Sequence, residues 1–247
     1  MTEDGVDIIG QENLRVSSPI VILGFIEDTS LGLLTSSYII EQEELHQVAI
    51  VKSVHIPPVT VFVGQKMRPP FRIYSNKDGS LIVITCEVPI DYEGLYEISR
   101  VLVKWLEKIK PREMVVIDGI PVKGIIDTRD VYVATEASNL NKFSSLGVQI
   151  ANSAIISGIG GAVLNESIGK NISAVSLMTP TSTDIPDPEA VLSIITILNK
   201  VYNLSIKIDV LEDSVKKLHE QMNKIMDQYN EIQKNKSQKQ SEQSMFG

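Results

Sequence analysis

Residues Pro19 to Phe25 read PIVILGF, and the polar turn Glu27-Asp28-Thr29-Ser30 follows one residue later. An uncharged, Ile/Val-rich run halted by turn-forming side chains predicts a strand buried on both faces. A helix is expected next, over Leu31 to Glu43. Strands buried on both faces need helices on both sides, as in mainly parallel α/β sheets.

The same alternation recurs outward from that strand. Val48 to Val54 and Val59 to Val63 are strand candidates separated by Pro57-Pro58. Phe71 to Ser75 and Leu81 to Glu87 flank Asn76-Lys77-Asp78-Gly79, which has the composition of a hairpin turn and makes the sheet mixed. From Tyr92 to Lys108, Leu95, Ile98, Leu102 and Trp105, continued by Ile109, fall on one helical face before Pro111 ends the helix. Met114 to Ile117 predicts a strand closing in Asp118-Gly119, and further strands are expected at Val131 to Ala134, Ala154 to Ser157 and Ile172 to Leu177. Asp187 as N-cap with Pro188 in the first helical position starts a helix expected to run through Tyr202. The predicted fold is a three-layer α/β/α sandwich over residues 18–203, preceded by an N-terminal extension at 1–17.

The clearest periodicity lies beyond the sandwich. Leu204, Ile208, Leu211, Val215, Leu218, Met222, Ile225, Tyr229 and Ile232 alternate at spacings of four and three, with mostly Asp, Glu, Lys, Gln and Asn between them. This a/d pattern predicts a coiled-coil helix over 204–232, about 43 Å long at 1.5 Å per residue. Its seam needs a partner, so self-association is expected; a helix folded back on its own domain is the alternative. Residues 233–244 contain no apolar side chain and predict a disordered tether, after which the chain ends Met245-Phe246-Gly247.

Composition excludes several function classes. The formal charge of −8, without a basic stripe, argues against nucleic acid or an anionic membrane as partner. The acidic start MTEDGVDIIGQEN has no signal-peptide core, and the most apolar stretch, Ser153 to Leu164, is too short to span a bilayer. Cys86 is the single cysteine, so no intramolecular disulfide can form; it is expected to be a buried small hydrophobe, and a cytoplasmic location fits. His46, His55 and His219 are scattered and no metal-ligand spacing exists, so neither metal nor cofactor is expected. GxSxG, Walker A and HExxH motifs are absent. Gly158-Ile159-Gly160-Gly161 is a fragment of a phosphate-binding turn; close strand–helix packing is the favoured reading over a ligand site. Carboxylates at Glu27, Asp28, Glu87, Asp91 and Glu93 form an acid/base pair only if the fold joins them, and surface or capping roles are favoured.

Several segments together resemble the proteasome assembly chaperone family in its archaeal form. They are Gly24-Phe25-Ile26-Glu27-Asp28 with Gly32 and Tyr38, Pro69 to Tyr74, Ile84 to Ile90, Ile117 to Ile120, Val131 to Thr135, Ser157 to Leu164, and Thr179 to Ala190. The resemblance implies an α/β/α domain of phosphorylase/hydrolase-like shape without catalytic residues, acting as a homo-oligomer. It implies proteasome α subunits or the assembled 20S core particle as partner. Some family members end in a hydrophobic–tyrosine–any motif that inserts between α subunits. Met245 and Gly247 fit that motif, and Phe246 replaces the tyrosine. The alternative is a nucleoside- or phosphate-binding enzyme of phosphorylase-like fold.

Overall fold

The stretch PIVILGF forms β2 (Ile20–Phe25) in a computed structural model that describes residues 5–10, 14–63, 65–124, 126, 128–183 and 185–216. All six residues of β2 are buried, because the strand runs parallel between β7 (Leu81–Cys86) and β8 (Glu113–Val122) in the middle of the sheet. Beyond β8 lies parallel β11 (Ala174–Ser182), then antiparallel β9 (Tyr132–Thr135) and the two-residue β10 (Gln149–Ile150). On the other side β6 (Phe71–Ser75) pairs antiparallel with β7 through the Asn76–Gly79 turn, where Gly79 has φ +71°. Then come β3 (His46–Ser53) and β1 (Val6–Gly10), both antiparallel to their neighbours. These nine strands form one mixed sheet. A separate hairpin, β4 (Val61–Val63) with β5 (Lys66–Arg68), has no strand partner in it.

Pleating divides β2 between two helical surroundings. Val21, Leu23 and Phe25 join a core cluster with Ile98, Leu102 and Leu106 of α2 (Leu95–Ile109) and Ile159 and Val163 of α3 (Gly158–Ile168). Gly24 faces α1 (Leu31–Gln42): a Cβ there would meet the Gly32 carbonyl oxygen and Ser36 Oγ at 2.1 Å. Glycine therefore sets how closely α1 approaches the sheet. The last helix of the domain, α4 (Pro188–Tyr202), starts as expected: Asp187 accepts a hydrogen bond from the Ala190 N–H at 3.1 Å, and Pro188 follows it. Cys86 is fully buried, and burial pushes its thiol up to about 11.

Five details depart from the sequence reading. β1 lies in the expected N-terminal extension, and Val6 is 1% exposed; five residues are too few to announce an edge strand whose partner is 40 residues away. β4 stands outside the main sheet. β8 does not close at Asp118-Gly119 but continues to Val122, because β11 pairs with it through Ser182. Residues 154–157 form no strand. Residues 204–208 are not helical. Asn203, with φ 55°, ends α4, and the Asn199 side chain holds Ile206 on both sides, accepting from its N–H at 3.1 Å and donating to its carbonyl at 2.9 Å. The Tyr38 hydroxyl also donates to the Lys207 carbonyl at 2.8 Å.

The chain divides into two units, residues 1–207 and 208–247. The second begins with a helical stretch at 209–216, in which Leu211 is buried and Val215 half-buried while Asp209, Glu212 and Asp213 are exposed. Ile208 and Leu204 are half-buried in the connection before it. Leu218, Met222, Ile225, Tyr229, Ile232 and the terminal Met245, Phe246 and Gly247 lie outside the described residues.

Candidate functional site

In α/β sheets ligands and partners meet the ends of parallel strands, where loops leave the sheet. Here Glu27 and Asp28, just past the carboxyl end of β2, and Asp118, midway along β8, line a cleft of about 740 Å3. Register explains part of the floor. Asp118, Met178 and Tyr132 are consecutive partners across β8, β11 and β9, so their side chains share one face. The segment from Ile150 to Ile155 and Ser157 forms the opposite wall. A smaller hollow of about 310 Å3 shares Glu27, Asp28 and Ser157 and extends to Pro89, Ile90, Tyr92 and Leu95. The described lining of both contains no Lys, Arg or His.

Glu27 is tied to the start of α3. Its Oε1 accepts from the Ile159 N–H at 2.6 Å and the Gly160 N–H at 3.2 Å, using donors left free at a helix N-terminus. Gly158 makes the approach possible. It has φ +64°, and a Cβ on it would lie 2.2 Å from Glu27 Oε1. Burial raises the Glu27 carboxyl to about 7, Asp118 and Asp28 add like charge, and the two N–H donors only partly offset them. Asp118 is also raised, mainly by burial, against a 2.7 Å hydrogen bond from the Gly119 N–H. Chemically, Glu27 can hold a proton near neutral pH, and three grouped carboxylates without a cation in their lining favour a positively charged visitor.

The fold sorts the sequence candidates. Glu27 and Asp28 come together, joined by Asp118, which sequence reasoning had treated only as a strand end. Glu87 is elsewhere, held by Arg72 in a two-point pair at 2.7 and 3.0 Å. Arg72 is 2% exposed; burial works against its charge, but Glu87 and Tyr74 outweigh it and raise its pKa. Asp91 and Glu93 are exposed and line neither hollow. The Gly158–Gly161 turn packs closely, as expected: a Cβ at Gly160 would meet Val116 at 2.8 Å and one at Gly161 the Ile156 carbonyl at 2.1 Å. Among the described residues no cluster of His, Cys, Asp and Glu is arranged to hold a metal ion. No described helix is long and apolar enough to cross a membrane.

Four separate segments that carry the sequence resemblance converge here: Glu27-Asp28, Ile117 to Ile120, Val131 to Thr135 and the start of α3. A fifth and sixth, Pro69 to Tyr74 and Ile84 to Ile90, are joined by the Arg72–Glu87 pair. Fold and cleft together define a mixed α/β domain with a large central sheet that gathers acidic side chains from β8 and the turn after β2 in one cleft. The chain belongs to the PAC2 family, which it matches over residues 21–226. This is the proteasome assembly chaperone family named from the motifs above.

A protein of unknown function from Thermoplasma acidophilum is 49% identical, with a TM-score of 0.76 and 90% of this chain and 91% of that chain covered. Pyrococcus furiosus PbaA, described as an archaeal homologue of proteasome-assembly chaperone, is 22% identical with a TM-score of 0.80, covering 95% and 97%. PbaB of the same organism, described as an archaeal proteasome activator, is 18% identical with a TM-score of 0.77, covering 90% and 99%. The likeness to the two Pyrococcus proteins is one of fold.

Proposed function

We propose that this chain is a non-enzymatic, cytoplasmic proteasome assembly chaperone or proteasome-binding adaptor that acts as a homo-oligomer. Membership of the PAC2 family across residues 21–226 carries the reading. The descriptions of PbaA and PbaB support a proteasome-related role. In this reading the domain is a three-layer α/β/α sandwich, with α1 and α4 on one side and α2 and α3 on the other. The heptad stripe, including Leu211 and Val215, pairs as a coiled coil. The terminal Met245-Phe246-Gly247 docks between proteasome α subunits, on a polar tether with a reach of about 20 Å. Several tails on one oligomer add avidity.

The test is capture of purified α subunits and assembled core particles by the full chain and by a chain lacking the last three residues. Binding by the full chain that drops at least tenfold on truncation is expected. Binding to neither target would overturn the partner. The alternative, an enzyme of nucleosides or phosphate, requires free N–H groups at the start of α3. Those of Ile159 and Gly160 already donate to Glu27, and a bound phosphate would have to displace a carboxylate beside Asp118. It is the weaker reading.

A further inference from the structure

The β4–β5 hairpin carries its own unsatisfied surface. Each of its strands has three residues and pairs with no other strand among the described residues, and a two-stranded ribbon of that size is marginal in water. Phe62 and Met67 are directly opposed across it, so their side chains share a face, and they are 64% and 80% exposed. Lys66, exposed, pairs with Val63 next to the turn, so its side chain leaves the opposite face from Phe62 and Met67. The hairpin, tied at its base by Arg68 to Glu87 at 3.5 Å, therefore offers an exposed apolar face with a cation next to its turn.

The cleft offers the converse. Its floor holds Glu27, Asp28 and Asp118, no cation occurs in its described lining, and its rim exposes Ile150 at 46% and Ile155 at 97%. Hairpin and cleft stand at the same end of the sheet: Pro69-Pro70 lead from the hairpin into Phe71, which pairs with Cys86 at the carboxyl end of β7. Cys86 in turn pairs with Phe25, two residues before Glu27.

We propose that the β4–β5 hairpin of one copy of this chain inserts tip-first into the acidic cleft of a second copy. Lys66 reaches the Glu27–Asp28–Asp118 floor along its flexible stem, while Phe62 and Met67 cover Ile150 and Ile155. Because hairpin and cleft share one end of the domain, a single two-fold axis satisfies both copies at once, giving an isologous interface. Charge complementarity selects this occupant over a neutral apolar segment. The inference deepens the homo-oligomer part of the reading above and rests on it, without requiring the C-terminal helix or tail.

Disulfide trapping in the full chain tests it. Met67→Cys and Ile155→Cys are prepared separately, at highly exposed positions that leave the fold intact, and Cys86 is buried and silent. Mixing the two variants under copper–phenanthroline oxidation is expected to trap a covalent pair at least tenfold faster than either variant alone. Adding Lys66→Glu to the first variant should slow trapping at least tenfold, and adding Asp28→Lys to the second should then restore it. A mixture no faster than the single variants, trapping of Met67→Cys with itself as fast as the mixture, or no effect of Lys66→Glu overturns the proposal. Retention of α-subunit capture in the same chains keeps that outcome separate from failure of the proteasome reading.

Discussion

Glu27 is the residue where local chemistry and tertiary placement most clearly pull apart. Its carboxyl rises from the usual 4.5 to about 7, so the folded chain holds this proton more tightly than the unfolded chain. Stability from this group is complete below pH 4.5 and is lost as pH rises through the window up to about 7. Glu27→Gln keeps an oxygen to accept from Ile159 and Gly160 but cannot ionise. Relative to the native chain it should be unchanged near pH 4 and more stable near pH 8, by up to ~3 kcal/mol. Urea unfolding across that range checks this; equal stabilities at both ends would refute the burial of the Glu27 carboxyl in this site. Arg72 and Glu87 show the opposite case, a buried charge met by its partner at two points.

At the scale of elements, the start of α3 is set by how near it lies to β8. A Cβ at Gly160 already meets Val116 Cγ1 at 2.8 Å, so Gly160→Val forces α3 away from the sheet and from Glu27. The expected cost is about 1–3 kcal/mol, read as a lowered thermal midpoint, with the carboxyl of Glu27 returning toward its usual range. No loss of stability would show that the approach of α3 is looser than the contacts imply. Elements with a strong internal pattern were legible from sequence. The buried run at β2, the Asn76–Gly79 turn and the Asp187-Pro188 helix start each carry their cause within a few residues. The connection at 204–208 was not: Leu204 and Ile208 keep the heptad spacing, yet the side chain of Asn199 on the preceding helix and the hydroxyl of Tyr38, remote in sequence, hold that segment out of helix.

For the whole molecule, the proposed function rests on what several copies of the chain would present to a partner. In that proposal Phe246 takes the place where the family resemblance implies a docking tyrosine. Phe246→Tyr supplies the missing hydroxyl and should tighten binding to α-subunit rings by up to about tenfold, in keeping with ~0.5–1.5 kcal/mol for one added hydrogen bond. Titration of native and substituted chains against assembled particles checks it, and weaker binding by the tyrosine variant would argue against a tyrosine-type pocket.

The sequence by itself determined the alternating α/β character, the buried Cys86, the glycine-dependent packing at 158–161 and the family. Each depends on neighbours in the chain or on short motifs in a recognisable order. Only the tertiary structure decided that β1 forms an edge of the sheet and that β4–β5 stands outside it. It alone brought Asp118 beside Glu27 while sending Glu87 to Arg72. Those outcomes follow from which strands lie side by side, and strand order is set by packing over the whole domain, which no local spacing of residues records.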